Sequence, residues 1–558
     1  MANNPALFSK AGVFFLQIPY TFSDIPARSG FKWHTQPCYA KDCPACKAGV
    51  ENVWFTGDAF IANQFREWAD RETTSLIDQT LHRTGVDRSL SRATDADIDI
   101  PAPEGLEYLP FQKAGIAYAL NRSNALIADE MGMGKTIQAI GVINAINPER
   151  VLVVCPAMVK INWYKELRKW LVKPYSVDMA EGIFWPAFAK IVIINYDILH
   201  HHQEKLLSTP WDLVVIDEAH YLKNITSRRT KIMYGSKDHP PVRGKMNIAM
   251  TGTPIENRLK DIWPTLHYLD PASWQSFKEF MDTYHQKDYI PDPRAPAWSD
   301  RKVYRLGTEI NLDQLQEKLR STIMVRRLKA DVLPELPPKF RQVIPFSPGG
   351  FLRLLQAENR AFEVYDRAKQ KRLAAEQELN FRSEAIKQMR RSEFKAFQEL
   401  SKARLEVAKA KLPYAIEHIE GIVESQPVVV FAYHREILKA LYERFKPGGA
   451  GLVMGGIGDA ERDAQVRAFQ NGEFPVFVAQ IANAEGYTVS RASIAVFVEL
   501  EWRWGKVSQA EDRLHRIGQK GHVLIQHTIF EGSLDARMLA SVIEKQEVSE
   551  KALDRQEV

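Results

Sequence analysis

Cysteine is scarce in this chain, and a long apolar run is missing altogether. Only four of the 558 residues are cysteine, and Cys155 lies within an apolar, strand-like stretch where it is expected to be a small buried residue. No stretch reaches the roughly 20 apolar residues of a membrane-spanning helix. The short apolar run at residues 13–16 lacks the basic flank and cleavage site of a signal peptide. We therefore expect a cytoplasmic protein that is not secreted.

A strong charge imbalance is also missing. The chain has 74 Lys and Arg residues against 69 Asp and Glu, a net charge of +5. This balance is weak evidence for nucleic-acid binding, so any such binding has to come from local patches. With 45% hydrophobic and 26% charged residues, the chain can bury several cores, and its length suggests three to four domains.

The most informative motif that is present is a glycine-containing loop between an apolar strand and a helix. It spans residues 129–136 and reads Asp-Glu-Met-Gly-Met-Gly-Lys-Thr. Glycines let backbone N–H groups approach phosphate oxygens, a lysine neutralises the phosphates, and a threonine hydroxyl can ligate Mg²⁺. The strict phosphate-loop pattern has glycine at the position of Asp129, so a coincidental glycine-rich turn is the alternative. The candidate nucleotide-binding residues are Asp129, Gly132, Met133, Gly134, Lys135 and Thr136.

A pair of carboxylates follows a later apolar strand. Asp217 and Glu218 open an Asp-Glu-Ala-His box directly after the strand-like residues 213–216. At the C-terminal end of a parallel strand they would face the phosphate site, where Asp217 can hold Mg²⁺ with Thr136. Glu218 can orient or deprotonate the attacking water. Such pairs often serve only as helix caps, but the order behind Lys135 favours a catalytic role.

Two arginines near the end of the chain could complete this site. Arg513 and Arg516 lie three residues apart on a predicted helix, so both guanidinium groups could project from one face. Planar forked donors suit a transferring phosphoryl group. A solvated basic helix is the alternative.

Together these motifs resemble the Swi/Snf-type branch of the superfamily-two helicase-like ATPases, from about residue 106 to residue 536. Residues 109–113 look like the family's glutamine motif, which implies that Gln112 reads adenine. Residues 251–257 look like the motif that couples hydrolysis to lobe movement, and residues 326–339 like the crossing between lobes. The resemblance also implies that Trp163, Asn195 and Tyr196 contact DNA.

Within that branch, the chain is most similar to the HARP-related annealing helicases. Residues 476–488 carry Gly486 and Thr488 of the relevant motif, assigned here to nucleotide and DNA contact respectively. Asn483 and Ala484 replace glycines of the chromatin remodellers. Trp502 matches a tryptophan that contacts DNA in the family.

The predicted fold is α/β, with two RecA-like parallel-sheet lobes, helical insertions and a small N-terminal domain. We predict an N-terminal HARP-like domain at residues 1–84 and an exposed connector at 85–105. Lobe one is expected at 106–345, with a helical insertion at about 260–325, and lobe two at 412–558. Residues 346–411 are expected to form a helical protrusion. Residues 351–411 hold 15 basic and 9 acidic side chains, which fits either a solvated strut or a phosphate-contacting arm.

A candidate metal site lies in the N-terminal region. His34, Cys38, Cys43 and Cys46 offer four ligands suited to tetrahedral Zn²⁺. The alternatives are free thiols in a loop or a disulfide, and a reducing cytosol disfavours the disulfide.

These features predict a double-stranded-DNA-stimulated ATPase that uses ATP and Mg²⁺ to translocate along double-stranded or forked DNA. The output could be fork remodelling, strand annealing or displacement of bound protein. A transcription-associated remover of stalled RNA polymerase and a non-catalytic DNA-binding scaffold are the alternatives. We find no bromodomain-like, chromodomain-like or nuclease-like segment, which favours a prokaryotic or viral origin.

Overall fold

A computed structural model of the chain describes residues 6–10, 13–17, 32–34, 53–56, 62, 65–255, 258–291, 302–378, 384–484, 486–540 and 552–554. They fall into two compact units. The first combines residues 1–93 with 276–324, and the second combines residues 94–275 with 325–558. No helix of the described residues is long and apolar enough to cross a membrane.

The described residues of the first unit form a four-stranded antiparallel sheet, a two-stranded antiparallel sheet and three α-helices. The four-stranded sheet has the strand order β1-β2-β4-β3, and its inward residues Phe14 and Leu16 pack against Phe65 and Ile77. The elements are β1 (Ala6–Lys10), β2 (Val13–Gln17), β3 (Lys32–His34), β4 (Val53–Thr56), α1 (Arg71–Arg92), α8 (Phe277–Tyr284), β11 (His285–Pro291), β12 (Lys302–Glu309) and α9 (Leu312–Thr322).

Helix α1 corrects the predicted connector. The side chain of Asp70 caps the helix by accepting from the Thr73 N–H at 2.7 Å, and the helix continues to Arg92. Residues 85–92 are therefore helical, and the connector begins after them. The Arg88–Glu317 ion pair, at 3.0 Å, joins α1 to α9. The predicted zinc ligands Cys38, Cys43 and Cys46 lie outside the described residues, and only the backbone of His34 is described.

The second unit contains two parallel sheets, and the first of them forms lobe one. Its strand order is β13-β5-β10-β9-β6-β8-β7. Its strands are almost wholly apolar because helices cover both faces. The strands are β5 (Asn124–Ile127), β6 (Val151–Cys155), β7 (Val177–Met179), β8 (Ile191–Asn195), β9 (Trp211–Asp217), β10 (Gly244–Met250) and β13 (Met324–Val325); the helices are α2 (Pro110–Leu120), α3 (Lys135–Ile146), α4 (Lys160–Trp170), α5 (Gln203–Ser208), α6 (Arg228–Tyr234) and α7 (Trp263–Leu269).

The second parallel sheet forms lobe two and has the order β14-β19-β18-β15-β17-β16. The predicted end of lobe one at residue 345 is wrong, because β14 pairs in parallel along its whole length with β19. The elements of the crossing and this lobe are α10 (Lys329–Val332), β14 (Lys339–Phe346), β15 (Val428–Ala432), α13 (Arg435–Phe445), β16 (Ala450–Val453), α14 (Asp459–Asn471), β17 (Val476–Gln480), β18 (Ile494–Phe497), α15 (Trp504–Glu511) and β19 (Val523–Phe530). These two parallel sheets with their helices confirm the predicted α/β fold class.

Two long helices, α11 (Leu352–Glu378) and α12 (Glu384–Val423), form the predicted protrusion. An Arg372–Glu393 ion pair joins them. Basic residues of α12 pair with glutamates three positions earlier, as in Lys387–Glu384 and Lys402–Glu399. Such neutralisation within the helix favours the solvated strut. The predicted boundary at residue 411 falls inside α12, which continues through Pro413 into the core of lobe two.

Short 3-10 helices connect several of these elements. They are Arg66–Trp68, Ala157–Val159, Tyr196–His201, Ala219–Leu222, Leu259–Ile262, Gly349–Phe351, Lys446–Gly448 and Ile481–Asn483.

Candidate active site

The phosphate loop connects β5 to α3 in the predicted position. Gly132 and Gly134 have φ of +83° and +76°, a region that favours glycine. A Cβ on Gly134 would lie only 2.5 Å from Nε2 of Gln112, so this position has no room for a side chain. Thr136 and Lys135 open helix α3, whose first N–H groups and positive dipole end suit a phosphate.

Lys135 bridges the loop itself. Its Nζ donates to the carbonyl oxygens of Asp129 and Glu130, at 2.9 and 3.2 Å. Burial lowers the pKa of Lys135, while the charges of Glu218, Asp129 and Asp217 act in the opposite direction. The ammonium group therefore lies where phosphate oxygens would meet the acidic pair.

Two predicted nucleotide-binding side chains have structural partners. The carboxylate of Asp129 is fully buried and accepts from Nε of Arg327 at 2.9 Å and from Nε2 of Gln138 at 2.8 Å. Its assignment to nucleotide binding is wrong for the side chain, because that side chain is enclosed by these donors. Gln112 accepts from the Leu109 N–H and donates to the carbonyl of Met133 at 3.3 Å, so it braces the loop.

The acidic pair is at the end of β9. Three groups fix Asp217: Nε1 of Trp163 donates to Oδ2 at 2.7 Å, the Tyr196 hydroxyl donates to the main-chain carbonyl at 2.6 Å, and the Glu218 N–H donates to Oδ1 at 3.0 Å. Glu218 has a φ of +50°, which is strained for a residue with a side chain. Its Oε2 lies 3.2 Å from Nδ1 of His220.

The pKa values of the two carboxylates shift in opposite directions. Burial, followed by the negative charge of Glu218, raises the pKa of Asp217. Burial also acts to raise the pKa of Glu218. The hydrogen bond and charge of His220, together with the charges of Lys135 and Lys506, outweigh burial and lower this pKa. Glu218 therefore remains ionised, as a residue that orients or deprotonates water must. Thr136 and Asp217 would hold a magnesium ion, since both offer the hard oxygen ligands that this ion takes.

Three residues predicted to contact DNA are buried in lobe one. Trp163, Tyr196 and Asn195 have relative exposures of 0, 2 and 7%. Burial and the bonds to Asp217 contradict DNA contact by Trp163 and Tyr196. Asn195 donates to Oδ2 of Asp197 at 3.4 Å, and its contact with DNA stays a prediction. Sequence reasoning missed this positioning role, although the placement of both aromatic residues after neighbouring parallel strands was a usable signal.

Arg513 and Arg516 lie in the turn that follows α15, not on a helix as predicted, because α15 ends at Glu511. Arg513 donates to the carbonyl of Tyr487 at 3.2 Å. Arg516 donates to Oγ1 of Thr488 at 2.8 Å, so Thr488 orients an arginine and its predicted DNA contact is not what this structure shows. Burial, followed by the adjacent charge of Arg513, lowers the pKa of Arg516 to about 9. Two guanidinium groups this close together, one of them buried, would be stabilised by an anion such as a phosphate group.

The arginine turn lies against the phosphate loop. A Cβ built on Gly132 would be 3.2 Å from Cγ and 3.3 Å from Nε of Arg516. The structure thus brings together Lys135, Asp217, Glu218, Arg513 and Arg516, the five residues that the sequence predicts to be catalytic.

Two other residues, predicted to contact nucleotide or DNA, lie outside this cluster of five residues. Gly486, with a φ of +80°, approaches lobe one so closely that a Cβ would lie 3.0 Å from the carbonyl oxygen of Met158. It therefore serves lobe packing and not nucleotide contact. Trp502 is half-buried and stacks on Phe362 with a centroid distance of 5.6 Å. One face of the indole is thus covered, and DNA contact by Trp502 stays a prediction.

Sequence reasoning also missed a cation from lobe two. Lys506 lies 3.3 Å from the hydroxyl of Tyr221, which stacks on Tyr196 at 5.2 Å. Tyr221 directly follows the acidic box in the sequence, and this position was the available signal.

Comparison with known families agrees with this geometry. Residues 111–403 match the model of the SNF2-related domain, and residues 410–518 match the helicase conserved C-terminal domain. The chain belongs to the SNF2-related family.

Two relatives are similar to most of this chain. The chain is 30% identical over 469 residues to the "DNA annealing helicase and endonuclease ZRANB3" of Bos taurus, covering 80% of this chain and 40% of that protein. It is 30% identical over 457 residues to the "SWI/SNF-related matrix-associated actin-dependent regulator of chromatin subfamily A-like protein 1" of Xenopus tropicalis, covering 79% of this chain and 44% of that protein. The chain thus spans about two fifths of the length of these relatives.

The chain also resembles a solved structure. The "Sulfolobus solfataricus SWI2/SNF2 ATPase core in complex with dsDNA" is 20% identical, with a TM-score of 0.38, over 82% of this chain and all of that one. The two parallel sheets themselves define the fold of the lobes.

Proposed function

We propose that this protein is a DNA-dependent ATPase that couples ATP hydrolysis to translocation along double-stranded DNA. The observation that carries this proposal is the contact of Arg516 with Gly132. A cation from lobe two lies on the phosphate loop of lobe one, beside the acidic pair. A site built from two lobes is complete only when the lobes approach, so its chemistry and the motion of the lobes are linked.

The residues divide the hydrolysis between them. The N-terminus of α3 and Lys135 bind the phosphates, and Thr136 and Asp217 would hold the magnesium ion, which supplies charge neutralisation. Glu218 remains ionised and orients the attacking water. Arg513 and Arg516 stabilise the charge of the transferring phosphoryl group.

The proposed DNA substrate is a double-stranded or forked molecule, and the proposed output is fork remodelling or strand annealing. One relative at 30% identity is named a DNA annealing helicase, and the chain spans only part of it. Trp163 and Tyr196 are buried around Asp217, which leaves Trp502 as the aromatic candidate for DNA contact. The DNA surface has to lie on other exposed groups of the lobes.

Two measurements test this proposal. ATP hydrolysis should be stimulated more by duplex than by single-stranded DNA or RNA, with steep salt dependence because phosphate contacts release counterions. A triplex-displacement assay should then show ATP-dependent movement, with little unwinding of a blunt fork. Stimulation by RNA alone, or efficient unwinding of a plain duplex, would contradict duplex translocation.

A further inference from the structure

The crossing between the lobes is attached firmly to the phosphate loop. The Ala128 N–H donates to the carbonyl of Val325 at 2.8 Å, and the Glu130 N–H donates to the carbonyl of Arg327 at 3.1 Å. Between these bonds, the Arg327 side chain is locked to the buried Asp129. Residues 325–329 therefore move with the loop that binds phosphate.

Lys329, at the end of this attached segment, extends to lobe two. Its backbone N–H donates to Oε2 of Glu130 at 2.7 Å, which keeps its main chain on the phosphate loop. Its Nζ donates to Oδ1 of Asp512 at 3.0 Å and to the carbonyl of His515 at 2.8 Å. The side chain is 4% exposed, so water screens these contacts little.

Each lobe-two partner of Lys329 is the sequence neighbour of a catalytic arginine. Asp512 directly precedes Arg513, and His515 directly precedes Arg516. Cε of Lys329 would also lie 3.7 Å from a Cβ on Gly132, the residue that Arg516 covers. The ammonium group of Lys329 thus contacts the residue before each arginine of the turn at residues 512–516. It does so where this turn meets the phosphate loop.

A second lysine provides an internal comparison. Lys339 also donates to Oδ1 of Asp512 at 3.0 Å, and to Oε2 of Glu511 at 3.1 Å. However, Lys339 belongs to β14, a strand of lobe two, so its contacts stay within one lobe. Its bonds can stabilise the turn but cannot set its distance from the phosphate loop.

We propose that Lys329 is a positioning residue that holds Arg513 and Arg516 in register with the phosphate loop. The inference rests on the proposed ATPase function and deepens it. Lys329 touches no reacting atom in this scheme. It acts through the turn, and a misplacement of about 1 Å in such an arrangement can lower a rate about 10²-fold.

The first experiment compares Lys329→Met with Lys339→Met in the full chain, with duplex DNA at saturation. Lys329→Met should lower kcat about 10²-fold, with Kd for a fluorescent ATP analogue changed less than about 3-fold. Lys339→Met should change kcat less than about 3-fold, because its contacts do not cross between lobes. Thermal unfolding checks that both variants fold, and Lys329→Gln replaces Lys329→Met if the latter does not fold.

A double-mutant cycle separates positioning from general destabilisation. If Lys329 acts through the arginine turn, adding Lys329→Met to Arg516→Ala should slow hydrolysis little further, since coupled residues are not additive. Three outcomes would overturn the inference. The kcat losses of Lys329→Met and Arg516→Ala could multiply in the double variant, the two lysine variants could lower kcat equally, or Lys329→Met could lose ATP affinity. Each of these outcomes leaves the proposed ATPase function standing. Absence of DNA-stimulated hydrolysis in the wild-type protein would instead refute the proposed function.

Discussion

Replacing Glu358 by glutamine should stabilise lobe two at alkaline pH and have little effect at acidic pH. Glu358 lies on α11, is 2% exposed, and accepts from the Leu534 N–H at 2.8 Å. Burial, followed by the negative charge of Asp535, raises its pKa from 4.5 to about 7. Glutamine keeps an acceptor for the Leu534 N–H but cannot ionise.

The sign of the stability change follows from the pH at which Glu358 loses its proton in the folded and in the unfolded state. The unfolded chain releases the proton of Glu358 above about pH 4.5, whereas the folded protein keeps it up to about pH 7. The unfolded state therefore binds fewer protons in this window, and stability falls as the pH rises. The pKa of Glu358 is raised by about 2.5 units, which corresponds to about 3 kcal/mol in the free energy of unfolding. The wild-type protein is destabilised by this full amount above about pH 7.

The assay is the difference in free energy of unfolding between Glu358→Gln and wild type, measured with denaturant at pH 5 and at pH 8. Taking this difference at each pH cancels the other titrating groups. The matched control is Glu363→Gln on the same helix, whose partner Arg367 is exposed and whose loss should cost less than about 1 kcal/mol. The same difference at both pH values, or a destabilised variant at pH 8, would refute a raised pKa at Glu358.

Three further predictions concern the active site and the N-terminal unit. Glu218→Gln should abolish turnover while a fluorescent ATP analogue still binds, because the charge that orients water is lost but the phosphate contacts remain; near-normal turnover would contradict this role. Trp163→Phe removes the hydrogen bond to Asp217 and should lower kcat by about tenfold, corresponding to a bond of about 1.4 kcal/mol, with duplex affinity unchanged; weaker DNA binding with normal kcat would restore the DNA-contact assignment. Protein purified without chelator should contain about one equivalent of zinc that Cys43→Ser with Cys46→Ser removes, and metal analysis finding none would refute that site.

The sequence was sufficient to predict elements whose signals are local. The apolar strands of both sheets, the phosphate loop before Lys135 and the acidic pair after β9 follow from short runs of residues whose chemistry has few alternatives. Their convergence follows from parallel topology, since the carboxyl ends of parallel strands share one edge. The placement of Asp217 near Lys135 was therefore predictable without coordinates.

Contacts that depend on long-range packing were not predictable. An indole such as Trp163 is compatible with a DNA surface or a buried donor, and only the position of Asp217 decides between them. The pairing of β14 with β19 joins residues 184 positions apart, as in Lys339 with Val523, so no local pattern could move residues 339–346 into lobe two. Likewise Pro413 predicts a break in α12, yet packing against lobe two outweighs that local preference.

The continuity of α12 has a mechanical consequence. The helix has 40 residues and at 1.5 Å per residue is about 60 Å long. Its C-terminal part, including Ala415 and Ile419, is buried in the core of lobe two, while its N-terminal part carries exposed charged residues. A rotation of lobe two by about 10° would displace a point about 40 Å along this helix by about 7 Å. A lobe rotation of that size would therefore move this part of the hairpin by about two base-pair steps of DNA.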